Sequence, residues 1–182
     1  AVLLGGVGSG KTRTALAYYY TKVCQGSLKI NGKGKDGLLQ KPRDLYIITT
    51  ARKRDELDWQ EEALAFRLSD DRSLSISGVS MIVDSYNNIT NYTKIKDAFF
   101  IFDEQRLVGS GVWVDSFIKI AKNNEWILLS ATPGDVWMDY MPLFVANGFY
   151  KNKTEFIREH VIFDRFAKYP KIDRYIATGR LD

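Results

Sequence analysis

Residues 5–12 read G-G-V-G-S-G-K-T, and this run carries the clearest chemistry in the chain. Gly5, Gly10, Lys11 and Thr12 fall on the spacing G-x-x-x-x-G-K-[ST], in which each residue type has a mechanical task around a polyphosphate. Backbone N–H groups of Gly8, Ser9, Gly10 and Lys11 are expected to face phosphate oxygens. The Lys11 ammonium is expected to meet the β and γ groups, and the Thr12 hydroxyl to ligate Mg²⁺. A helix opening at this point directs the positive end of its dipole at the same anion. The apolar residues 1–4 in front supply the strand that the motif requires, which favours a nucleotide site over a chance glycine turn.

A second chemical pair, Asp103 and Glu104, closes the apolar run Phe99, Phe100, Ile101, Phe102. Downstream of a phosphate loop, Asp103 is expected to hold the metal directly or through water. Glu104 is expected to orient or deprotonate the attacking water. Alone, an acidic pair at a strand end reads equally as a surface turn. The set read for catalysis is therefore Lys11, Asp103 and Glu104, with Thr12 and Asp103 as metal ligands.

The elements that must position these groups alternate along the chain. Short apolar runs over 1–4, 45–50, 81–84, 98–102 and 126–129 have the character of strands buried on both faces. Between them lie helical stripes: Leu16, Tyr19, Tyr20 and Val23 within 14–24; Leu57, Leu64 and Leu68 with Trp59, Ala63 and Phe66 within 52–68; then Val114, Phe117, Ile118 and Ala121. Trp137, Met141, Phe144 and Val145 predict one more helix, kinked or split by Pro142. The pattern predicts an α/β fold with a mostly parallel sheet and helices on both faces. In such sheets functional residues gather beyond the carboxyl ends of the strands. Thr49, Thr50, Asp84, Ser85, Asp103, Glu104, Ser130 and Thr132 should therefore share the edge that carries the phosphate loop. Residues 1–150 are expected to form this domain. Residues 151–182 read as an extension, with a helix over 155–163 and a tail or linker over 170–182.

The 182 residues suit one domain, and no apolar run reaches the length of a membrane span. A single cysteine, Cys24, excludes an internal disulfide, fits a reducing compartment and reads as a buried structural thiol. His160 is the sole histidine, so a histidine-rich metal site is excluded and the residue reads as surface or local packing. The net charge of +4 is concentrated: residues 1–60 hold 11 lysines and arginines against 5 acids, the remainder 15 against 17. That surplus fits either a solvated face with a few nucleotide-binding lysines or a nucleic-acid path. Residues 26–44, with Lys29, Lys33, Lys35, Lys41 and Arg43 among glycines, read as a long loop, either DNA-facing or a mobile insertion. Tyr18, Tyr19 and Tyr20 read as core packing.

Taken together, Gly8 to Thr12 (G-S-G-K-T), Asp103-Glu104-Gln105-Arg106 and Ser130-Ala131-Thr132-Pro133 resemble motifs I, II and III of superfamily 2 helicases and translocases, in order and spacing. Residues 46–62 resemble motif Ia and its following helix in the Swi/Snf-like and related branches, and residues 83–89 resemble motif Ib. The combination is also similar to bacteriophage helicases of this group. The resemblance implies the first RecA-like, ATP-binding domain of a two-domain motor, with ATP and Mg²⁺ between the domains and arginines of the second acting on the γ-phosphate. It implies that Gln105, Arg106, Ser130 and Thr132 couple the ATP site to movement, although Arg106 stands where the best-known branches carry Asp or His. It implies nucleic-acid backbone contacts, DNA more than RNA, by Thr50, Arg52 and Ser85. Helix capping is the competing role for Thr50 and Ser85. An ATP hydrolase, weak as an isolated domain and cytoplasmic (the host cytoplasm if of phage origin), is the expectation. A phosphate-loop ATPase of another motor class, or a nucleotide-dependent binding module, is the alternative.

Overall fold

A computed structural model describes residues 1–6, 9–27, 38–103, 107, 111–131 and 134–182. Five strands form one sheet in the order β1-β5-β4-β2-β3: β1 Val2–Leu4, β2 Leu45–Thr49, β3 Met81–Ser85, β4 Phe99–Asp103 and β5 Glu125–Ser130. Every pairing is parallel, so all five carboxyl ends lie on one edge. The helices are α1 Lys11–Tyr18, which runs on into a π-helical turn Tyr19–Val23, then α2 Ala51–Asp55, α3 Asp58–Leu64, α4 Val112–Asn123, α5 Trp137–Ala146 and α6 Lys153–His160. The α/β class expected from the alternation is the one observed.

The unbroken apolar character of the strands follows from burial on both faces. Alternate strand residues point to opposite sides of a sheet. Leu45, Ile47, Phe99, Ile101, Ile127 and Leu129 pack with Leu16 and Tyr19 of the first helical segment and with Trp59 and Ala63 of α3. Tyr46, Ile48, Phe100, Phe102, Trp126 and Leu128 pack on the other side against Phe117 and Ile120 of α4 and Leu143 of α5. Tyr46 stacks on Phe100 at 4.9 Å and Phe117 meets Phe102 edge-on at 4.9 Å, so this layer is largely aromatic. The four polar strand ends, Thr49, Ser85, Asp103 and Ser130, are thereby carried by a scaffold anchored from both sides.

Several local expectations are corrected. Residues 52–68 do not form one helix. The chain breaks at Leu57, whose φ of 60° lies in the left-handed region, and α3 starts afresh at Asp58. Leu57 and Leu64 are consequently exposed, and Trp59, Ala63, Phe66 and Leu68 are the buried set. Helix α5 is not split at Pro142 and extends from Trp137 to Ala146. Its buried Met141, Pro142, Leu143 and Val145 hold it in place from several sides, which offsets the hydrogen bond that proline cannot donate. Tyr19 and Tyr20 are core residues, whereas Tyr18 is half exposed at the periphery. Cys24 is fully buried, and burial pushes its thiol pKa up.

Residues 170–182, read as a tail or linker, contribute a strand and a buried Leu181. After α6, β6 Val161–Phe163 pairs antiparallel with β7 Ile172–Tyr175. Phe156, Val161 and Leu181 join Met141, Val145 and Tyr150 in a third apolar cluster on α5. His160 is fully buried, so the surface reading fails for it and the packing reading stands. Its Nε2 lies 2.6 Å from the Tyr150 hydroxyl and its Nδ1 3.1 Å from the Ile176 carbonyl, which ties α6 to the hairpin. No helix among the described residues is long and apolar enough to cross a membrane.

Candidate functional site

The chain turns from β1 directly into the loop at Gly5, whose N–H donates to the Ser130 carbonyl at 3.1 Å. A Cβ at Gly5 would come within 2.6 Å of the Ser9 Oγ, so a side chain there would displace that hydroxyl. Gly10, immediately before α1, has φ 75° and ψ 18°, the left-handed conformation in which glycine is unstrained. The first N–H satisfied inside the helix is that of Thr14, donating to Gly10 at 3.0 Å. The N–H groups of Lys11, Thr12 and Arg13 are therefore left at the helix start, where the dipole is positive. Lys11 folds back on its own loop, its ammonium donating to the carbonyls of Gly5 and, at 2.5 Å, of Gly6. Two of its three donors thus brace the loop, and one is left for an anion.

Asp103 closes β4 at the same edge, one strand removed from β1 because β5 lies between. Its side chain is almost wholly buried, and a single oxygen, Oδ2, accepts from the Thr49 hydroxyl at 3.0 Å, the Trp59 indole N–H at 3.1 Å and the Lys53 ammonium at 3.2 Å. Oδ1 has no partner among the described residues. Charge-assisted bonds of this kind hold a carboxylate in one rotamer. Ser9, Gly10, Lys11, Thr12, Asp103 and Ser130 all line one cavity of about 780 Å³. The sequence reading anticipated these six together. Gly8, Glu104, Gln105, Arg106 and Thr132 lie outside the described residues.

Three partners of Asp103 were not anticipated as such. Thr49 was expected only at the shared edge, Trp59 as a packing residue within the segment that resembles motif Ia, and Lys53 only as part of that segment. The available signal for Lys53 is its place one turn beyond a strand that pairs with the acid strand. The cavity is also lined by Arg13, Asp58, Glu61 and Glu62, and Arg13 is tied to Glu62 at 2.9 Å. Its described lining therefore holds three cationic side chains against four acids.

The expected nucleic-acid residues separate into two environments. Thr50 and Ser85 line a second concavity of about 270 Å³ with Ala51, Tyr86, Asn87 and Trp113. Arg52 does not line it; its guanidinium is exposed and pairs with Glu56 at 2.7 Å. Thr50 caps α2, accepting from the Lys53 N–H at 3.3 Å, so the capping role is present. Ser85 is buried at the end of β3 and accepts from Arg54 at 3.4 Å. Arg54 also lies 3.5 Å from Asp84. Burial raises the Asp84 pKa, but hydrogen bonds from Tyr92, Asn88, the Ser85 N–H and Arg54 outweigh it and hold the carboxyl below its ordinary range. Burial and then the bond to Asp84 push the Tyr92 phenol up. Much of the basic surplus in residues 1–60 is engaged within the molecule, as Arg13–Glu62, Arg43–Glu125 at 3.1 Å, Arg54–Asp55 at 2.8 Å and Lys53–Asp103. Lys29, Lys33 and Lys35 of that surplus lie outside the described residues.

No model of a known protein family matches the chain. No curated protein matches it either. Among solved structures it is similar to the crystal structure of the Pyrococcus furiosus Hef helicase domain, at 17% identity and a TM-score of 0.48, over 90% of this chain and 37% of that one. The chain thus spans well under half the length of that neighbour.

Proposed function

We propose that residues 1–150 are the first RecA-like, ATP-binding domain of a superfamily 2 DNA helicase or translocase, and that residues 151–182 extend it toward a second such domain. The observation that carries this reading is the meeting of the α1 N-terminus, Lys11, Thr12, Asp103 and Ser130 around a single cavity. The N–H groups opening α1 would bind phosphate oxygens, with the remaining donor of Lys11 on the β and γ groups. The donor set suits Mg²⁺: the Thr12 hydroxyl and the Asp103 carboxylate offer hard oxygens to one cavity, and the acid's Oδ1 is engaged by no described residue. When bound, Mg²⁺ would neutralise phosphate charge and polarise the γ-phosphoryl group. A divalent cation would also balance charge, because the described lining has more acidic than cationic side chains. Three side-chain cations against four acids cannot compensate a triphosphate.

Thr49 and Trp59 would keep Asp103 in its metal-facing rotamer, with the Lys53 ammonium as the cation that a bound metal must outcompete. Glu104, on its place in the sequence, would accept the proton of the attacking water. Ser130, with Gln105, Arg106 and Thr132, would couple the site to movement on nucleic acid, contacted through Thr50, Arg52 and Ser85. The lining arginine, Arg13, is occupied by Glu62. A transition-state arginine would come from a second domain, so this chain alone should bind Mg²⁺-ATP and hydrolyse it slowly.

The test is ATP hydrolysis with and without single- and double-stranded DNA, alongside binding of a fluorescent ADP analogue. Analogue binding that requires Mg²⁺, with slow turnover in the 182-residue chain, supports the reading. Absence of nucleotide binding would refute it. Absence of DNA stimulation in a two-domain form would leave an ATPase of another motor class.

A further inference from the structure

The turn that joins β6 to β7, residues 164–171, holds two aromatic rings out in solvent. Phe166 is 98% exposed and Tyr169 73%. Large apolar side chains in an ordered segment are ordinarily drawn against the core, so two such rings three positions apart are an informative departure. The segment is not loose. The Phe166 N–H donates to the Asp164 carboxylate at 2.8 Å, the Asp164 N–H closes the turn on the Lys171 carbonyl at 2.8 Å, and Pro170 fixes its own φ.

Cations alternate with the rings. Arg165, Lys168 and Lys171 are all exposed, and the Lys168 ammonium lies 5.8 Å from the Tyr169 ring centre. None of the three enters an ion pair among the described residues. The one acid of the turn, Asp164, is engaged by the Phe166 N–H.

We propose that the β6–β7 turn binds single-stranded nucleic acid, with Phe166 and Tyr169 stacking on bases and Arg165, Lys168 and Lys171 neutralising phosphates. Every base presents a π-face, so exposed rings bracketed by cations suit a strand without reading its sequence. Three residues of chain reach at most about 10 Å, which matches about three nucleotides at the 3.4 Å spacing of a stacked strand. A lipid surface would call for a broader apolar face than two rings separated by Ala167 and Lys168. The surface is separate from the concavity at Thr50 and Ser85, and the inference goes beyond the nucleotide-site reading without depending on it.

The experiment is a fluorescence-anisotropy titration of a fluorescein-labelled dT20 oligonucleotide with the 182-residue chain, across a series of salt concentrations. Alanine in place of a stacking ring weakens single-strand binding by about five- to a hundredfold. The double variant Phe166→Ala/Tyr169→Ala should therefore lose at least about tenfold in affinity. Lys168→Ala/Lys171→Ala should lower the slope of log K against log salt by about 1.4, the value for two phosphates on a single strand. Both variants should melt and bind the fluorescent ADP analogue like wild type, because all four side chains are exposed and none lines the nucleotide cavity. Wild-type affinity in both variants, or no oligonucleotide binding by the wild-type chain, would overturn the proposal. So would unchanged oligonucleotide binding accompanied by loss of binding to anionic phospholipid vesicles. Failure of the ADP analogue to bind would instead count against the nucleotide site and leave the turn untouched.

Discussion

The Lys53 ammonium stands 3.2 Å from Oδ2 of Asp103, the oxygen on which the Thr49 hydroxyl and the Trp59 indole also converge. Arg54, the next residue on α2, reaches the other way to Asp84 and Ser85 at the end of β3. One short helix therefore links the candidate metal ligand to the candidate nucleic-acid edge. Any shift of α2 along the sheet edge would be felt at both.

Lys53→Met keeps the aliphatic stem and removes the charge beside Asp103. With that cation gone, the carboxylate is freer to take a metal, and Mn²⁺ affinity in the presence of ADP should rise about two- to tenfold, read by electron paramagnetic resonance. Stability should fall by about 1–3 kcal/mol in urea, because a buried carboxylate loses a charged hydrogen-bond donor. Unchanged metal affinity would show that the ammonium does not compete for the site.

Trp59→Phe retains an aromatic ring in the core but loses the indole donor. The variant should be destabilised by about 1–3 kcal/mol, the cost of under-satisfying a buried acceptor. Measured on the same urea scale, a loss below about 0.5 kcal/mol would mean that Asp103 is held adequately by Thr49 and Lys53.

Lys11→Ala should abolish binding of the ADP analogue while costing no more than about 1–3 kcal/mol in stability, as two backbone carbonyls of the loop lose their donors. Calorimetric titration with and without Mg²⁺ measures the first effect. Binding within about threefold of wild type would remove Lys11 from the phosphate site.

Asp84 gives a pH signature. Its folded pKa is depressed below the unfolded value of about 4, so its contribution to stability is present above that value and is lost as pH falls through the folded pKa. Tyr92→Phe deletes the 2.6 Å bond from the phenol and should shrink this acid-limb loss. Urea denaturation between pH 7 and pH 2.5 should show the two proteins converging as the carboxylate protonates. Parallel curves would refute the coupling.

How much of the molecule was legible beforehand differs by feature. The strands at 45–50 and 98–102 were readable because burial on both faces of a parallel sheet leaves an unbroken apolar run. The site residues Ser9, Gly10, Lys11 and Thr12 were readable because their spacing is local. The break at Leu57 was not, since Leu57 and Leu64 fit a helical stripe as well as the true buried set does, and only packing against the sheet chooses Trp59 and Ala63. Strand β7 was missed because four residues with two charges, Ile172–Tyr175, give little apolar alternation until β6 supplies a partner.

By itself the sequence determined the glycine-rich run ending in Lys11-Thr12, the acid at the end of an apolar strand, and the α/β alternation that places both on one edge. Each depends on residues within a few positions of one another. Tertiary structure alone decided what surrounds Asp103. Its partners Thr49, Lys53 and Trp59 lie 54, 50 and 44 residues away, and they meet only because β2 pairs beside β4 and α2 and α3 turn back over that edge. Local spacing specifies which groups are present. The sheet order specifies which of them share an oxygen.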